Sequence, residues 1–418
     1  KIVAMIEESE QLKSTAENHA AHLADRLVPY TLAGSVLVYL LTRNVTRALS
    51  VLMVDFSCAL KLSMPLAVLS AMSEASRFHV TVKGGKYLEA VAQADTIVFD
   101  KTGTLTEGEP RVVAVLPEEG MDADALVEMA AALEQGSEHP VGKAVYEHAR
   151  LLNLPVRAVA DLSVVPGRGI AGTVDGVPYA VGNSGFMQDK GISWKEDESR
   201  LREFMRQGAS PLYVGRGGCP AGVIMVADSL KPDSRAAVDS LKRMNLRVVM
   251  LTGDNAATAR HMAGELHIDE VVSDVLPDEK ASHVMKMEER GDKVAMVGDG
   301  VNDAPALACA RVGISMKSGT ELAMESSDIV LMKSNPAGVA EAVQLGRTTL
   351  LIIRQNLFWA FFYNIIGIPL AAGCLYPAFG LTLNPMIAAG AMSLSSLCVV
   401  FNSLRLRGFT PRLGSLGK

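Results

Sequence analysis

Residues 96–106 read Thr96-Ile97-Val98-Phe99-Asp100-Lys101-Thr102-Gly103-Thr104-Leu105-Thr106, and the rest of the chain is arranged around them. The apolar run Thr96 to Phe99 reads as a buried strand. Asp100 follows at once and Gly103 marks a turn, so the carboxylate falls at the carboxyl end of a strand, where open α/β sheets keep their ligand crevice. A carboxylate there can attack a phosphoryl group and carry it as an aspartyl phosphate. For a lone Asp-Lys-Thr-Gly a surface turn after a strand is the safer reading. The choice rests on what lies elsewhere in the chain.

The 418 residues exceed one ordinary domain. A hydrophobic content of 49% is high for a soluble enzyme and places part of the chain in lipid. A formal net charge of −6 argues against nucleic acid as a partner. The five cysteines, Cys58, Cys219, Cys309, Cys374 and Cys398, form no Cys-x-x-Cys pair, which suits a reducing compartment and gives no disulfide framework. No secretory signal peptide is visible. The chain starts at Lys1, and an amino-terminal part is expected to precede it.

In order along the chain, residues 1–26 are polar and helical in pattern. Apolar stretches follow from about Leu27 to Leu41 and from Ala48 to Met72, read as a membrane helix pair over 27–76. The first is short enough to be a buried soluble helix instead. Two more candidate spans, Leu350 to Leu375 and Leu381 to Phe401, carry few charges and give a second pair over 337–405. Between the pairs lies a soluble block. Its helical stretch, Asp122 to Asn153, is followed by short strands between Gly and Pro turns, Val164 to Gly182. From about Asp228 strand and helix alternate. Arg247 to Leu251 and Lys293 to Val297 both read as buried parallel strands. This predicts one doubly wound α/β domain, residues 77–107 and 228–336, interrupted by an inserted domain, residues 108–227. The tail, 406–418, is rich in Gly, Pro and basic residues and reads as loose.

Each later strand ends in a polar loop: Thr252-Gly253-Asp254-Asn255, and Gly298-Asp299-Gly300-Val301-Asn302-Asp303-Ala304-Pro305, with Lys280 between them after Pro277-Asp278-Glu279. In a parallel sheet these loops converge with Asp100 at one edge. Phosphoryl transfer needs a nucleophile, a cation to neutralise oxygens, and positioned donors. Asp100 can be the nucleophile, Asp100 and Asp299 can hold Mg²⁺ through oxygen ligands, and Thr252 and Lys280 can donate to phosphate oxygens.

Together, Asp-Lys-Thr-Gly-Thr-Leu-Thr, Thr-Gly-Asp-Asn and Gly-Asp-Gly-Val-Asn-Asp make the chain resemble the P-type ATPases over nearly its whole length. The resemblance implies a multidomain membrane protein. It combines an α-helical transmembrane bundle, a HAD-like doubly wound phosphorylation domain, and an inserted α+β nucleotide-binding domain. It implies that Asp100 is phosphorylated by ATP, within a catalytic set of Asp100, Lys101, Thr102, Thr252, Gly253, Asp254 and Lys280. Asp100, the Thr102 carbonyl and Asp299 would bind Mg²⁺, with Asn302 and Asp303 in support. Thr102 stands where related phosphatases keep a second Asp as acid–base, and an uncharged residue there would leave the aspartyl phosphate long-lived.

The insertion is similar to the nucleotide domain of heavy-metal P-type ATPases. The matching residues are Ser137-Glu138-His139-Pro140, the run Pro166-Gly167-Arg168-Gly169-Ile170-Ala171-Gly172, and Val181-Gly182-Asn183. Glu138 and His139 would contact adenine, with Gly167, Gly169, Gly182 and Asn183 lining the site. A glycine-rich turn by itself is a weak signal.

Metal specificity is expected in the helices. Cu(I) favours thiolate and thioether ligands, whereas Zn²⁺ also accepts carboxylate and imidazole. Tyr363-Asn364 and Met392-Ser393-Leu394-Ser395-Ser396 look like the signatures of copper(I) exporters, and Tyr363, Asn364, Met392 and Ser396 are the matching positions. Outside that motif Met392 would read as lipid-facing or core. The helix before Asp100 departs from the pattern. Where heavy-metal pumps usually carry Cys-Pro-Cys, this chain has Phe56-Ser57-Cys58, leaving Cys58 as the one thiolate and Pro65 further on. Lys61 could stabilise a Cys58 thiolate, pair with Asp55, or snorkel to an interface. Copper(I) is the expected cargo, and Zn²⁺ or another transition metal the alternative. A soluble phosphatase of the same phosphoaspartate superfamily is the reading from another class.

No Thr-Gly-Glu loop is present, so the actuator domain that carries it in P-type ATPases is expected as a partner from an amino-terminal part. Residues 1–26 resemble the linker that leaves that domain. A chain of this extent is expected to form a phosphoenzyme but turn over poorly. ATP, the transported ion, membrane lipid and a metallochaperone are the other implied partners. Arg347, Arg405, Arg407 and Arg412 put the soluble domains in the cytoplasm of a protein integral to the cell membrane, although Arg43 and Arg47, in the opposite loop, run against the rule.

Overall fold

The computed structural model describes residues 15–54, 57–137, 139–165, 167–194, 201, 203–205, 208–254, 256–317, 319–375 and 384–411. Over 57–62 it describes backbone alone, so the expectations on Glu138, Asp55, Phe56, Cys58, Lys61, the linker up to residue 14 and the tail beyond 411 lie outside the described residues.

Thirteen strands occur among the described residues. In chain order they are β1 (Val80–Val82), β2 (Thr96–Asp100), β3 (Arg111–Pro117), β4 (Ala160–Val165), β5 (Gly169–Val174), β6 (Val177–Gly182), β7 (Ser210–Arg216), β8 (Cys219–Ala227), β9 (Arg247–Leu251), β10 (Glu270–Val272), β11 (Val294–Gly298), β12 (Val312–Met316) and β13 (Ile329–Leu331). They form two sheets. The first has the order β1-β13-β12-β11-β2-β9-β10, parallel throughout except for β1 at the edge. Strands β2, β11 and β12 are buried along their whole length, as parallel strands covered on both faces must be. Successive residues of β2 enter different cores. Ile97 and Phe99 face one, Val98 the other, as the two-residue period of a strand requires. The chain leaves β2 to one side for β9 and β10, then returns on the other side for β11. The strand order therefore reverses beside the carboxyl end of β2, where open sheets of this kind hold ligands.

The second sheet, β3-β8-β7-β6-β5-β4, is antiparallel and lies wholly between β2 and β9 in sequence. Two helices cover one of its faces, and Ser184–Asp189 packs on the other. The single helical stretch expected over 122–153 is broken into Ala123–Leu133 and Pro140–Leu151. The break has two local causes. Gly136 takes a left-handed φ of +83°, and Pro140, lacking an N–H, suits the first turn of a new helix.

Among the described residues, the apolar segments on either side of the sheets form the helices Thr15–Thr42, Val45–Met53, Ser57–Arg77, Ala337–Ala372 and Pro385–Leu404. The apolar stretch read as continuous from Ala48 to Met72 is two helices, because Val45–Met53 ends with the Val54 amide bonded to the Val51 carbonyl. The sequence there is interrupted by Asp55, Ser57 and Lys61. Two helices among the described residues, Ala337–Ala372 and Pro385–Gly408, are long and apolar enough to cross a membrane. Polar side chains join them: Asn356 donates to Ser403 Oγ at 3.0 Å and Asn402 to Asn356 Oδ1 at 2.8 Å. The core beneath the first sheet runs on into these helices, taking in Met64, Val68, Ile352 and Ile353 together with Ile97 and Phe99.

Candidate active site

Three parallel strands deliver the polar loops to one edge. β2 ends in Asp100, β9 is followed by Thr252-Gly253-Asp254, and β11 by Asp299. Lys280 opens the helix Lys280–Glu289. Its ammonium donates to Asp100 Oδ1 at 2.6 Å and to Asp303 Oδ1 at 2.7 Å, and all three side chains are buried. The second Asp303 oxygen accepts from the Asp299 amide at 3.3 Å and the Gly300 amide at 3.0 Å, so Asp303 organises the loop that carries Asp299. Lys101 reaches across to Asp254 at 2.6 Å and ties the β2 loop to the β9 loop. Thr252 is buried beneath this pair, and its hydroxyl accepts from the Asp254 amide at 3.1 Å. Thr102 and Asn302 are exposed at the rim.

Ligand oxygens of Asp100, Asp299 and Asp303 lie within 4.8 Å of one another. Burial, then Asp303, pushes the Asp100 carboxyl up to about 7 despite Lys280. The same two causes push Asp299 up to about 6. Burial would lower the Lys280 ammonium, but Asp100 and Asp303 outweigh it and hold it above its ordinary value. A cluster of hard oxygen donors with more negative charge than its lysines balance fits a small divalent cation such as Mg²⁺.

Sequence reasoning missed residues here. Lys231, buried just after β8, donates to the Gly103 carbonyl. Asp228 Oδ1 accepts from the Gly108 amide at 3.1 Å. Burial lowers the Lys231 ammonium while Asp299, Glu107 and Asp228 pull it up. The available signal was one cation in Ser229-Leu230-Lys231-Pro232, directly after an apolar strand.

In the second sheet Gly167, Gly169, Gly182 and Asn183 come together. Gly169 pairs with Gly182 across β5 and β6, and a Cβ on either would lie within 2.5 Å of backbone oxygen. Asn183 donates to the Gly167 carbonyl at 3.3 Å and caps the helix Ser184–Asp189 by accepting from the Phe186 amide at 2.8 Å. A Cβ at Gly167, whose φ is +71°, would meet open space. His139 caps Pro140–Leu151, with Nδ1 accepting from the Val141 amide at 3.3 Å. No described hydrogen bond joins His139 to the glycines. A second overlooked carboxylate, Glu134, is buried under the His139 turn, and burial raises its pKa against Ser137 and His139.

In the long helices Asn364 is fully buried. Its Nδ2 donates to the Ala360 carbonyl at 2.8 Å while Oδ1 has no partner. Tyr363, Met392 and Ser396 are half-buried, and Met392 packs on Val51, Val54, Ala371 and Ala388. The buried serine of the motif is Ser395, whose hydroxyl has no partner.

Residues 94–311 match the haloacid dehalogenase-like hydrolase family, and residues 281–343 a second model of the same description. The copper-exporting P-type ATPase of Vibrio cholerae serotype O1 is 39% identical over 417 residues, 97% of this chain and 46% of that protein. The probable copper-transporting ATPase PacS of Synechococcus elongatus is 39% identical over 421 residues, 99% of this chain and 56% of that protein. The chain thus spans about half the length of the curated relatives it matches. A crystal structure of a zinc-transporting PIB-type ATPase in the E2.Pi state superposes with a TM-score of 0.76 at 31% identity, over 97% of this chain and 66% of that one. On these matches and its own site geometry, the chain belongs to the haloacid dehalogenase-like hydrolases, and over nearly its whole length it is similar to heavy-metal P-type ATPases.

Proposed function

We propose that the protein drives a heavy-metal ion, copper(I), out of the cytoplasm with ATP, through a phosphorylated Asp100. The observation that carries this reading is the buried Asp100–Lys280–Asp303 triplet beside Asp299 at the switch point of a parallel sheet. The β1–β2 and β9–β13 sheet is the phosphorylation domain, and the inserted sheet the nucleotide domain. An Asp100 carboxylate oxygen attacks the γ-phosphorus of ATP. The bond from that phosphorus to the β–γ bridging oxygen breaks, and ADP leaves. Lys280 and Thr252 donate to phosphoryl oxygens and orient them in line. Lys280, bonded to Asp100 Oδ1, offsets part of the burial that favours the protonated carboxyl and so helps Asp100 to the charged form that attacks. Asp100, the Thr102 carbonyl and Asp299, with Asn302 and Asp303 behind, would hold Mg²⁺, which would supply positive charge to the phosphoryl oxygens. His139, Gly167, Gly169, Gly182 and Asn183, with Glu138, hold the nucleotide.

The cargo is assigned to Tyr363, Asn364, Met392 and Ser396 with Cys58. The similarity to a zinc-transporting pump and the Phe56-Ser57-Cys58 departure support Zn²⁺ as the second reading. The host is assigned to the cell membrane, with a metallochaperone and an actuator domain as partners. The test is radiolabelled phosphoenzyme formation from ATP in detergent-solubilised chain under Cu⁺, Ag⁺ and Zn²⁺ titrations. Acid-stable, hydroxylamine-labile label stimulated by Cu⁺ and absent from Asp100→Asn is expected. Label surviving Asp100→Asn refutes the site, and stimulation by Zn²⁺ but not Cu⁺ refutes the cargo.

A further inference from the structure

Besides Lys101, which pairs with Asp254, two buried lysines flank the carboxylates, and they face different groups. Lys280 faces Asp100 and Asp303. Lys231 faces Gly103 and, through charge, Asp299 first among the acids. Nothing in the phosphoryl-transfer scheme above uses Lys231.

Gly103 is where that lysine acts. With φ at +74°, its Cα packs so closely on Asp299 that a Cβ would stand 1.9 Å from Oδ2. The two groups therefore fix each other's position. The Gly103 amide donates to Thr106 Oγ1 at 3.1 Å, and because the peptide is planar and trans this sets the direction of the Thr102 carbonyl. The Gly103 carbonyl takes the Lys231 ammonium. The lysine is held from behind by a short strap. The Lys231 amide and Ser234 Oγ both donate to the Leu105 carbonyl, at 3.0 and 2.7 Å. Thr106 bridges Leu230, the Glu107 amide donates to the Ser229 carbonyl at 2.9 Å, and Asp228 holds the Gly108 amide. Segment 228–234 thus grips the nucleophile loop along its length, and Lys231 is the one side chain of the strap that reaches Gly103.

Resting on the proposed phosphorylation site, we propose that Lys231 is a positioning residue: its bond to the Gly103 carbonyl holds the Gly103–Asp299 contact and the Thr102 carbonyl in the arrangement that a divalent cation needs. It touches neither the nucleotide nor the phosphoryl group. Without it, a buried carbonyl loses a charged donor, and the loop gains freedom at the point where it meets a metal ligand.

The experiment measures Mn²⁺ binding by electron paramagnetic resonance, without nucleotide, in the full chain carrying Lys231→Met or Lys231→Arg, beside thermal unfolding. Removing an outer partner of a metal ligand lowers affinity roughly 10- to 100-fold. Lys231→Met is expected to weaken Mn²⁺ at least about tenfold and Lys231→Arg only about threefold, the charged donor restoring most of the affinity. Unchanged Mn²⁺ affinity in Lys231→Met, whatever its unfolding temperature, overturns the proposal and makes the lysine a fold stabiliser. Tighter binding overturns it too, since the lysine would then only repel the ion. If Lys231→Met does not fold, Lys231→Arg decides: a weakened Mn²⁺ site with near-native unfolding supports positioning, and an unaltered site refutes it. Wild-type chain that binds no Mn²⁺ refutes the site itself and this inference with it.

Discussion

Replacing Gly103 by Ala puts a methyl group where the Asp299 carboxylate already lies. The ideal Cβ is 1.9 Å from Oδ2 and 2.6 Å from Cγ, so the carboxylate must retreat by roughly 1.5 Å to reach the 3.4 Å of an ordinary contact. The backbone adds its own cost, because φ at +74° is left-handed and about 1–2 kcal/mol unfavourable for an L side chain. Against a total stability of about 5–15 kcal/mol the chain stays folded. Catalysis fares worse, since a misplacement of about 1 Å can cost on the order of 100-fold. The expected outcome is phosphoenzyme formation slowed at least about 100-fold, with a Mg²⁺ requirement raised about tenfold or more and an unfolding temperature lowered by a few degrees. Gly120→Ala is the control. Its φ of +88° carries the same backbone cost, but a Cβ there meets nothing within 4 Å, so it should lower stability and leave phosphorylation alone. Normal phosphorylation of Gly103→Ala at normal Mg²⁺ would refute the Gly103–Asp299 packing and the site built on it.

Three further outcomes follow from the same geometry. Lys280→Met leaves Asp100 and Asp303 buried without their cation, a loss of about 3–5 kcal/mol in chemical denaturation; an unchanged midpoint would mean the triplet does not form. Because Asp100 and Asp299 titrate near 7 and 6, above the range of an unfolded carboxylate, the folded chain holds protons that the unfolded chain has lost. Their contribution to stability therefore falls as pH rises from about 4 to 7 without metal, and the stabilisation given by Mg²⁺ should be small at pH 5.5 and grow through pH 7.5 in thermal unfolding. A Mg²⁺ effect that shrinks over that range would contradict the assignment. Asn364→Leu removes a buried oxygen that has no partner, so stability should change by less than about 1 kcal/mol while metal-stimulated phosphorylation disappears; retained stimulation would take Asn364 out of the transport site.

What the sequence made legible were features with a local signature. β2, β9 and β11 are buried on both faces, so each is an unbroken apolar run, and each ends in a polar loop whose meeting point follows from parallel packing alone. Asp100 and Asp299 are legible that way, whereas the roles of Asp254 and Asp303 rest on the family resemblance. Lys231 is not legible, because its partner Gly103 lies 128 residues away and only the return of the chain from the inserted domain brings them together. Glu134 escaped for a related reason: its burial depends on the turn at Gly136, which also broke a helix read as continuous. In the membrane motif the helical phase decides. Ser395 and Ser396 are indistinguishable by type, but neighbours on a helix point about 100° apart, and the phase turns Ser395 inward and leaves Ser396 half-buried.

The two domains that sequence separates are attached to the phosphorylation loop in different ways, and on the proposed function that difference carries the coupling. The inserted sheet has a hydrophobic core of its own. The chain joins it to the first sheet at two crossings near residues 108 and 228, clasped by the Thr106–Leu230 bridge and the Asp228–Gly108 bond, and Gly208 lies beside His261 and Met262. No hydrophobic cluster among the described residues spans that joint. The membrane helices instead share the core of the phosphorylation sheet, from Phe99 through Leu88 and Val339 to Ile353 and Leu406. The strap behind the nucleophile loop adds a polar tie, since Asn335 donates to Asp233 at 2.6 Å and accepts from Ala337 at the start of the long helix that carries Tyr363 and Asn364. Packed interiors resist continuous deformation and shift as bodies. A displacement at Asp100 is therefore transmitted toward Asn364 more stiffly than toward His139, which is the asymmetry a pump requires: the nucleotide must come and go while the ion site moves with the phosphate.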